Sequence, residues 1–540
     1  MIGRIWLTLA ALTISGFLLL VMIGLWHRYE YQTGALGFSG IYERYFASQA
    51  DPAEQKGGGE QLTRQQGPKL IGTGAVGSAN QGVSVALSAD GNTAIVGGPG
   101  PNNAERERSL SVGPAGATWV FTRSGGVWTQ QDKLVGTTDA YGGGLWSQGM
   151  SVAVSADGNT AIVGGPSDNR TTGAAWVFTR SGGVWTQQGS KLVGSGARLA
   201  APLPQGQGMS VALSADGNTA MVGGWGTEAA WVFARSGGVW TEQGNKLVGS
   251  GAVGSARRGM SVALSADGNT AMVGGWADNS KAGAAWVFVR SGDVWAQQGK
   301  KLVGIDAVGS ARQGTAVALS ADGNIAIIGG PGDNPWDRSV PFGLGAAGAA
   351  WVFTRIGGVW TQQGNKLVGG TLGGANQGTS VALSADGTTA IVGGFGDDGG
   401  VVSWRASVFT RSDGHWKQEP NLVGTGVVGK SAPSVALSDD GSTIIVGGAN
   451  DNGGIGAAWV FARSGGHWTQ DKKLVDTKAM KKSAPSVSLP AEGGNTMVKE
   501  SNDSGGVAAA LVSTISGGGS THQEPPPPAV SSDPVFNWQE

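Results

Sequence analysis

Apolar and polar positions between residues 60 and 522 follow one recurring line that has no helical period. In its second copy the line reads GMSVAVSADGNTAIVGGPSDNRTTGAAWVFTRSGGVWTQQGSKLVG, over residues 149–194. SVAVS alternates and ends at Asp157-Gly158, and TAIVGG follows at once. Asp-Gly between two such runs is the strongest short-range hairpin signal. AAWVFTR then passes through Ser-Gly-Gly into a fourth segment, VWTQQGSKLVG. These segments are rich in Val, Trp, Phe and Thr, which suit a pleated surface, and none has the length or spacing of a helix. Each copy therefore predicts four antiparallel strands.

The Asp-Gly pair marks seven copies, at Asp90, Asp157, Asp216, Asp267, Asp322, Asp386 and Asp440, at intervals of 51 to 67 residues. A fixed motif on a variable period confines insertions to particular loops. The insertions fall at 99–116, 136–148, 194–207 and 330–349, in the connections between strands two and three and between one copy and the next. A degraded eighth copy follows, with SVSLPAEGGNT at 486–496 and GGVAAALVSTISGGGSTH at 505–522. Ahead of the first full copy, Gln65–Gly72 (QQGPKLIG) matches the fourth segment of the second copy, Gln187–Gly194 (QQGSKLVG). Repeats that cannot bury their own faces must stack. The fold class expected is all-β: a β-propeller of seven full four-stranded repeats plus a degenerate eighth closed by the N-terminal strand. Eight blades are the favoured count and seven the competing one.

Composition sharpens this picture. The 540 residues include 98 Gly, 21 Trp and no Cys. Glycine lacks a three-residue period, which excludes a collagen-like chain. Tryptophan comes in pairs nine residues apart: Trp119 and Trp128, Trp176 and Trp185, Trp231 and Trp240, Trp286 and Trp295, Trp351 and Trp360, Trp459 and Trp468. In the sixth copy Ser407 stands at the first position and Trp416 at the second. The first ring of each pair is expected to fill the space between blades. An Arg ends each third segment (Arg123, Arg180, Arg235, Arg290, Arg355, Arg411, Arg463). If Gly-Gly makes a two-residue turn, that Arg faces the second Trp and stacks on it.

Charge is balanced, 37 Lys+Arg against 38 Asp+Glu, so no nucleic-acid partner is expected. Absence of Cys excludes disulfides and thiolate chemistry. Residues 5–26 run 22 positions without a charge, enough to cross a bilayer as a helix. A cleaved signal would have a shorter apolar stretch with a small-residue site close behind it. The organisation expected is a cytoplasmic N-terminus (1–4), a transmembrane signal anchor (5–26), a juxtamembrane linker (27–59), the propeller (60–522) on the extracytoplasmic side, and a Pro-rich disordered tail (523–540).

The line G-x-S-V-A-x-S-x-D-G-x-x-A-I-V-G-G-P, followed by G-A-A-W-V-F, resembles the FG-GAP repeat of integrin α-chain propellers and bacterial envelope proteins. That resemblance implies adhesion or extracellular ligand binding. The calcium loop of that family, D-x-D-x-D-G-x-x-D, is not carried over. Ala153, Ser155 and Ala161 stand at its other acidic positions around Asp157, which leaves a tight turn. The Gly-Gly doublet with an aromatic and a Trp also resembles the kelch pattern. The docking element of quinoprotein propellers is missing.

No cofactor, metal or catalytic residue is assigned. His415 and His467 read as solvent-facing turn residues, and Asp333 with Asp337 forms the carboxylate pair kept for an alternative glycan-active enzyme. Aromatics outside the repeat pattern gather on the variable loops: Tyr141, Trp146, Trp225, Trp276, Trp336, Phe342, Phe395 and Trp404. Aromatics on loops carried by a rigid scaffold suit recognition. The expected function is non-catalytic binding of a protein or glycan partner, with a purely structural repeat protein as a further alternative.

Overall fold

The computed structural model describes residues 68–469, apart from 76, 101–115, 138–146, 197–205, 225, 227, 335–345, 370–374, 399–400, 423, 425–426, 428–432 and 465–466. Within them lie seven four-stranded antiparallel sheets, each paired in chain order. In the second sheet β5 (Ser151–Val154), β6 (Thr160–Gly165), β7 (Ala174–Ser181) and β8 (Val184–Gln187) follow the four segments of the repeat. The first sheet begins with β1 (Ser84–Leu87) and the seventh with β25 (Ser434–Leu437). The first strand of every sheet lies beside the first strand of the next, and β25 lies beside β1. The sheets are thus blades around one axis with their first strands innermost.

Seven blades close the ring, not eight. At the Asp-Gly end of the axis one backbone amide per blade donates to the next blade's carbonyl. The bonds run Ala89 to Ala156 (3.0 Å), then to Ala215, Ala266, Ala321, Ala385 and Asp439 (2.9 Å each), and Asp439 returns to Ala89 (3.1 Å). Because the seventh member bonds directly to the first, an eighth blade has no place between them. The N-terminal segment does close the ring, but in the last complete blade. Leu70 pairs with Ala458 of β27 (Ala457–Ser464), donating at 2.6 Å and accepting at 3.0 Å. Leu192 holds the same position against Ala175 in the second blade. Residues 486–522, read from sequence as the eighth copy, lie outside the described residues, as do the anchor 5–26, the linker 27–59 and the tail 523–540. Among the described residues no helix is long and apolar enough to cross a membrane.

The core is divided into layers between neighbouring blades. The layer between the third and fourth blades joins Met221, Ala230 and Val232 to Val262, Val273, Trp286 and Phe288. The closing layer joins Leu70, Ile445, Ala458 and Val460 to Val85, Val96, Trp119 and Phe121. Trp119, Trp176, Trp231, Trp286, Trp351 and Trp459 are all fully buried. Each of these indoles lies against glycine. A Cβ on Gly194 would overlap the ring of Trp231, and one on Gly249 would overlap Trp286. The indole N–H then donates to the carbonyl beside that glycine, Trp231 to Ser195 at 2.9 Å and Trp286 to Ser250 at 2.7 Å. Glycine and tryptophan are therefore abundant together because one makes room for the other.

The two faces of the ring differ. On the Asp-Gly face, Asp216 accepts from Ser214 Oγ (2.6 Å) and from the backbone and side-chain amides of Asn218 (2.9 Å each), and Arg235 Nε donates to Asn218 Oδ1 (2.9 Å). The Asp-Gly pair thus makes the tight turn that the sequence implied. Gly217 adopts φ 68°, the left-handed conformation the turn needs. Arg235 pairs in register with Trp240, its guanidinium carbon 5.4 Å from the ring centroid, and all seven blades repeat this contact. The opposite face carries the variable loops.

Candidate functional site

Of the eight aromatics expected to form a recognition surface, Tyr141, Trp146, Trp225, Trp336 and Phe342 lie outside the described residues. Phe395 lies in β22 (Thr389–Asp398), opposite Trp404 in β23 (Val401–Ser412). These two strands turn the sixth blade's insertion into an extended hairpin. Trp404 is not on the surface. It is 1 % exposed and sits 5.2 Å from Trp459, between the sixth and seventh blades. The ring missing at Ser407 has moved three residues along the chain and one interface around the ring. Among the described residues, the layer between the fifth and sixth blades accordingly holds no fully buried Trp.

Trp276 remains, half-buried on the loop after β14 (Thr270–Gly275). Backbone bonds tie this loop to the connections on both sides. Ala277 and Asn279 donate to Ala256 and Val253 of the preceding connection, and Arg312 and Gln313 of the following one donate to Lys281 and Ala282. The single turn at Asp278–Lys281 is fastened from below. Buried Asp278 accepts from the Val253 amide (2.7 Å) and from Lys301 Nζ (2.5 Å). The second, fifth and seventh blades repeat that ion pair, as Lys191 with Asp168, Lys366 with Asp333 and Lys69 with Asp451. Asp333 is thereby 1 % exposed and also accepts from the Val308 amide at 2.7 Å. Its two oxygens hold a loop. Asp337 lies outside the described residues. His415 opens β24 (His415–Gln418) and is exposed, as expected.

Two guanidinium groups flank Trp276. The Cζ atoms of Arg257 and Arg312 stand 5.2 and 5.6 Å from its ring centroid. Both arginines are half-buried, and burial pushes the Arg312 guanidinium below its usual pKa. The Nε atom of Arg312 is buried without a hydrogen-bond partner. Arg258 is differently engaged. It pairs with Glu228 at 3.1 Å, reaches the Gly249 carbonyl at 3.3 Å and lies 5.7 Å over Trp286. Among the described residues of these connections, Glu228 pairs with Arg258 and Asp278 with Lys301, while Arg257 and Arg312 stand beside the Trp276 ring. Such a cluster offers planar donors and an indole platform to an anion.

Sequence reasoning found Trp276 but missed the arginines. The signal was available in register. In the first six blades the residues before the innermost strand read Asn80-Gln81-Gly82, Ser147-Gln148-Gly149, Gly206-Gln207-Gly208 and Asn376-Gln377-Gly378, but Arg257-Arg258-Gly259 and Arg312-Gln313-Gly314 in the fourth and fifth; the seventh has Lys430-Ser431-Ala432 in their place. The Gln side chain normally clamps a main-chain glycine. Gln207, for example, accepts from Gly194 N (2.6 Å) and donates to Gly194 O (3.0 Å). Arg257 and Arg312 occupy left-handed backbone, φ 51° and 57°, where Asn or Gly is the easier residue.

No family model matches the chain, and no curated protein matches it. Solved structures align with it at low identity. A Kuenenia stuttgartiensis hydrazine synthase chain aligns with 14 % identity and a TM-score of 0.45, covering 74 % of this chain and 99 % of that one. A Bacteroides uniformis chain proposed to be a 6-phosphogluconolactonase aligns with 15 % identity and a TM-score of 0.46, covering 71 % and 97 %. The β-propeller domain of Myceliophteria thermophila Cps50 (Swd1) aligns with 10 % identity and a TM-score of 0.44, covering 74 % and 100 %. The propeller assignment stands on the strand pairing above, and the FG-GAP resemblance is matched by no family model.

Proposed function

We propose that this protein is a non-catalytic binding module that recognises an extracytoplasmic protein or glycan through its variable-loop face, in the manner of FG-GAP propellers. The observation that carries the reading is the asymmetry between the two faces. One face repeats a turn network in every blade, its aspartates already hydrogen-bonded to neighbouring Ser hydroxyls and its arginines stacked on Trp. The other departs from the repeat where Arg257, Trp276 and Arg312 converge. A rigid ring bearing divergent loops is the arrangement recognition uses. The uncharged run at 5–26 supports tethering of the ring to a membrane, with export of all that follows it.

The test is binding of the purified chain to arrays of bacterial surface polysaccharides and envelope proteins, compared with a Trp276→Ala variant. Retention on at least one ligand class, reduced about 5-fold or more by Trp276→Ala, is expected, since truncating a central anchor costs about 1 kcal/mol or more. Equal retention of both proteins would remove Trp276 from the binding surface. Turnover of any arrayed glycan would favour an enzyme instead.

A further inference from the structure

The slot that closes the ring has two claimants in this chain. It lies at Ala458, whose amide and carbonyl both bond to Leu70 of the run Lys69-Leu70-Ile71-Gly72. In the first blade the equivalent residue is Thr118, beside the equivalent indole of Trp119, and its partner is Leu134 at the end of β4 (Val127–Leu134). That blade fills its own slot, as Trp128 leads through Thr129-Gln130-Gln131-Asp132 to Lys133-Leu134-Val135-Gly136. The seventh blade carries the same run at the same spacing. Trp468, in β28 (His467–Thr469), leads through Thr469-Gln470-Asp471-Lys472 to Lys473-Leu474-Val475-Asp476. β28 already pairs in the blade register, with Arg463 opposite Trp468 as Arg123 is opposite Trp128. Residues 470–476 lie outside the described residues, but a run continued in that register brings Leu474 to Ala458, the place Leu70 holds. A second observation supports the register. The indoles of Trp185, Trp240, Trp295, Trp360 and Trp468 donate to Gln131, Gln188, Gln243, Gln298 and Glu419, each the third residue after the matching Trp of the preceding blade. For Trp128 that residue is Asp471, and among the described residues its buried Nε1 has no hydrogen-bond partner.

We infer that Lys69–Gly72 and residues 473–476 are alternative fourth strands for this one slot, so that the ring can release everything ahead of Lys69 and close again on its own C-terminal run. The last residue of each run decides which one holds the slot. A Cβ on Gly72 would overlap the buried indole of Trp119, as one on Gly136 would overlap Trp176. The rival run ends in Asp476, which would bring both a Cβ and a carboxylate against that ring. Gly72 also exchanges two bonds with Gln81, donating at 2.5 Å and accepting at 2.9 Å, and Trp119 Nε1 donates to the Thr73 carbonyl at 2.8 Å. The rest of the two runs is alike. Lys473 matches Lys69, which pairs with Asp451 at 2.5 Å, and Leu474 matches Leu70. Departure of the N-terminal run would leave the β27 edge unpaired, and a covalently attached strand of matching pattern is the nearest means of covering it.

The test is amide hydrogen exchange, resolved by peptide mass spectrometry, on the full chain and its variants. Leu70→Asp places a charge at a buried position and should expel the N-terminal run. The expected result is loss of protection at 69–72, gain of protection at 473–476 and continued protection at Ala458. Adding Leu474→Asp should then expose Ala458, while Leu474→Asp alone should leave the exchange of the parent unchanged. Loss of protection at Ala458 in Leu70→Asp, without a gain at 473–476, would overturn the inference. So would Leu474→Asp alone destabilising the chain as much as Leu70→Asp does. Asp476→Gly keeps the inference testable if Leu70→Asp does not fold, because it supplies the missing glycine without disturbing any described contact. Protection should then fall at 69–72 and rise at 473–476, with the melting transition intact. Unchanged protection of both segments in Asp476→Gly would sink the inference on its own.

Discussion

Glycine at the end of each fourth-strand segment is dictated by the indole it touches. Gly194 has no left-handed φ to explain it, but its Cα faces the ring of Trp231, which is fully buried and has nowhere to move. Gly194→Ala should therefore destabilise the protein by about 1–3 kcal/mol through overpacking, read as a lower urea midpoint at unchanged slope. The aspartates of the hairpin turns give a pH signature. Burial raises the Asp216 pKa, but hydrogen bonds from Ser214 and Asn218, with the nearby Arg235 charge, outweigh it and hold the carboxyl below its ordinary value. The other six turn aspartates behave alike. A depressed folded pKa contributes stability that is complete above the unfolded value of about 3.9 and is lost as pH falls through the folded value. Stability should thus decline steeply below about pH 4, and Asp216→Asn should make that decline shallower in urea titrations at stepped pH.

Asp439 carries the opposite sign. Six blades place alanine at its position in the hydrogen-bonded ring, and here burial and then the neighbouring Asp440 charge raise the carboxyl pKa. A raised folded pKa removes stability as pH climbs through the window between the unfolded and folded values. Asp439→Ala should therefore stabilise the protein at pH 7, with a gain that shrinks on acidification below the unfolded carboxyl value. Equal effects at both pH values would show that the backbone, not the charge, decides this position.

At the scale of the element, the strands and both hairpin turns were legible because the pattern that makes them is local. Asp-Gly and Gly-Gly supply their turn geometry without help from elsewhere, and the Arg235–Trp240 register follows from the length of the second turn. Tertiary packing decided two elements against the local reading. Trp404 stands on a variable loop in sequence, yet it packs inside against Trp459 and Phe461, between the sixth and seventh blades. Lys69 and Leu70 match a fourth strand, but only contact with Asp451 and Ala458 says whose fourth strand it is. Leu70→Ala should cost about 2–5 kcal/mol, as for other buried leucines. Because Leu70 lies in the layer joining Val460 to Val85, the loss should appear as faster amide exchange in the first and seventh blades before the others.

At the scale of the molecule, seven blades and one closed cycle of amide bonds make a ring whose parts depend on one another. Excising one repeat, residues 208–258, joins Gln207 to Gly259, which takes the place of the equivalent Gly208. It removes Ala215 from the cycle, so six blades would have to meet at an altered angle. Loss of a single cooperative melting transition, with association on gel filtration through unpaired blade faces, is the expected outcome. A monomeric six-bladed ring of parental stability would show that the number of repeats, not the angle at which blades pack, sets the count.

The sequence by itself determined the strands, their turns, their order within a blade, the repeat of those blades and the stacking of arginine on tryptophan, because all of these depend on residues within about 50 positions of one another. Only the tertiary structure decided the number of blades, the blade that the N-terminal strand completes, the burial of Trp404 and the meeting of Arg257, Trp276 and Arg312. Each of these depends on contacts between blades or between separate connections. A repeated sequence carries no local mark of which copy is the last. It is the angle at which whole sheets pack that decides where the ring closes.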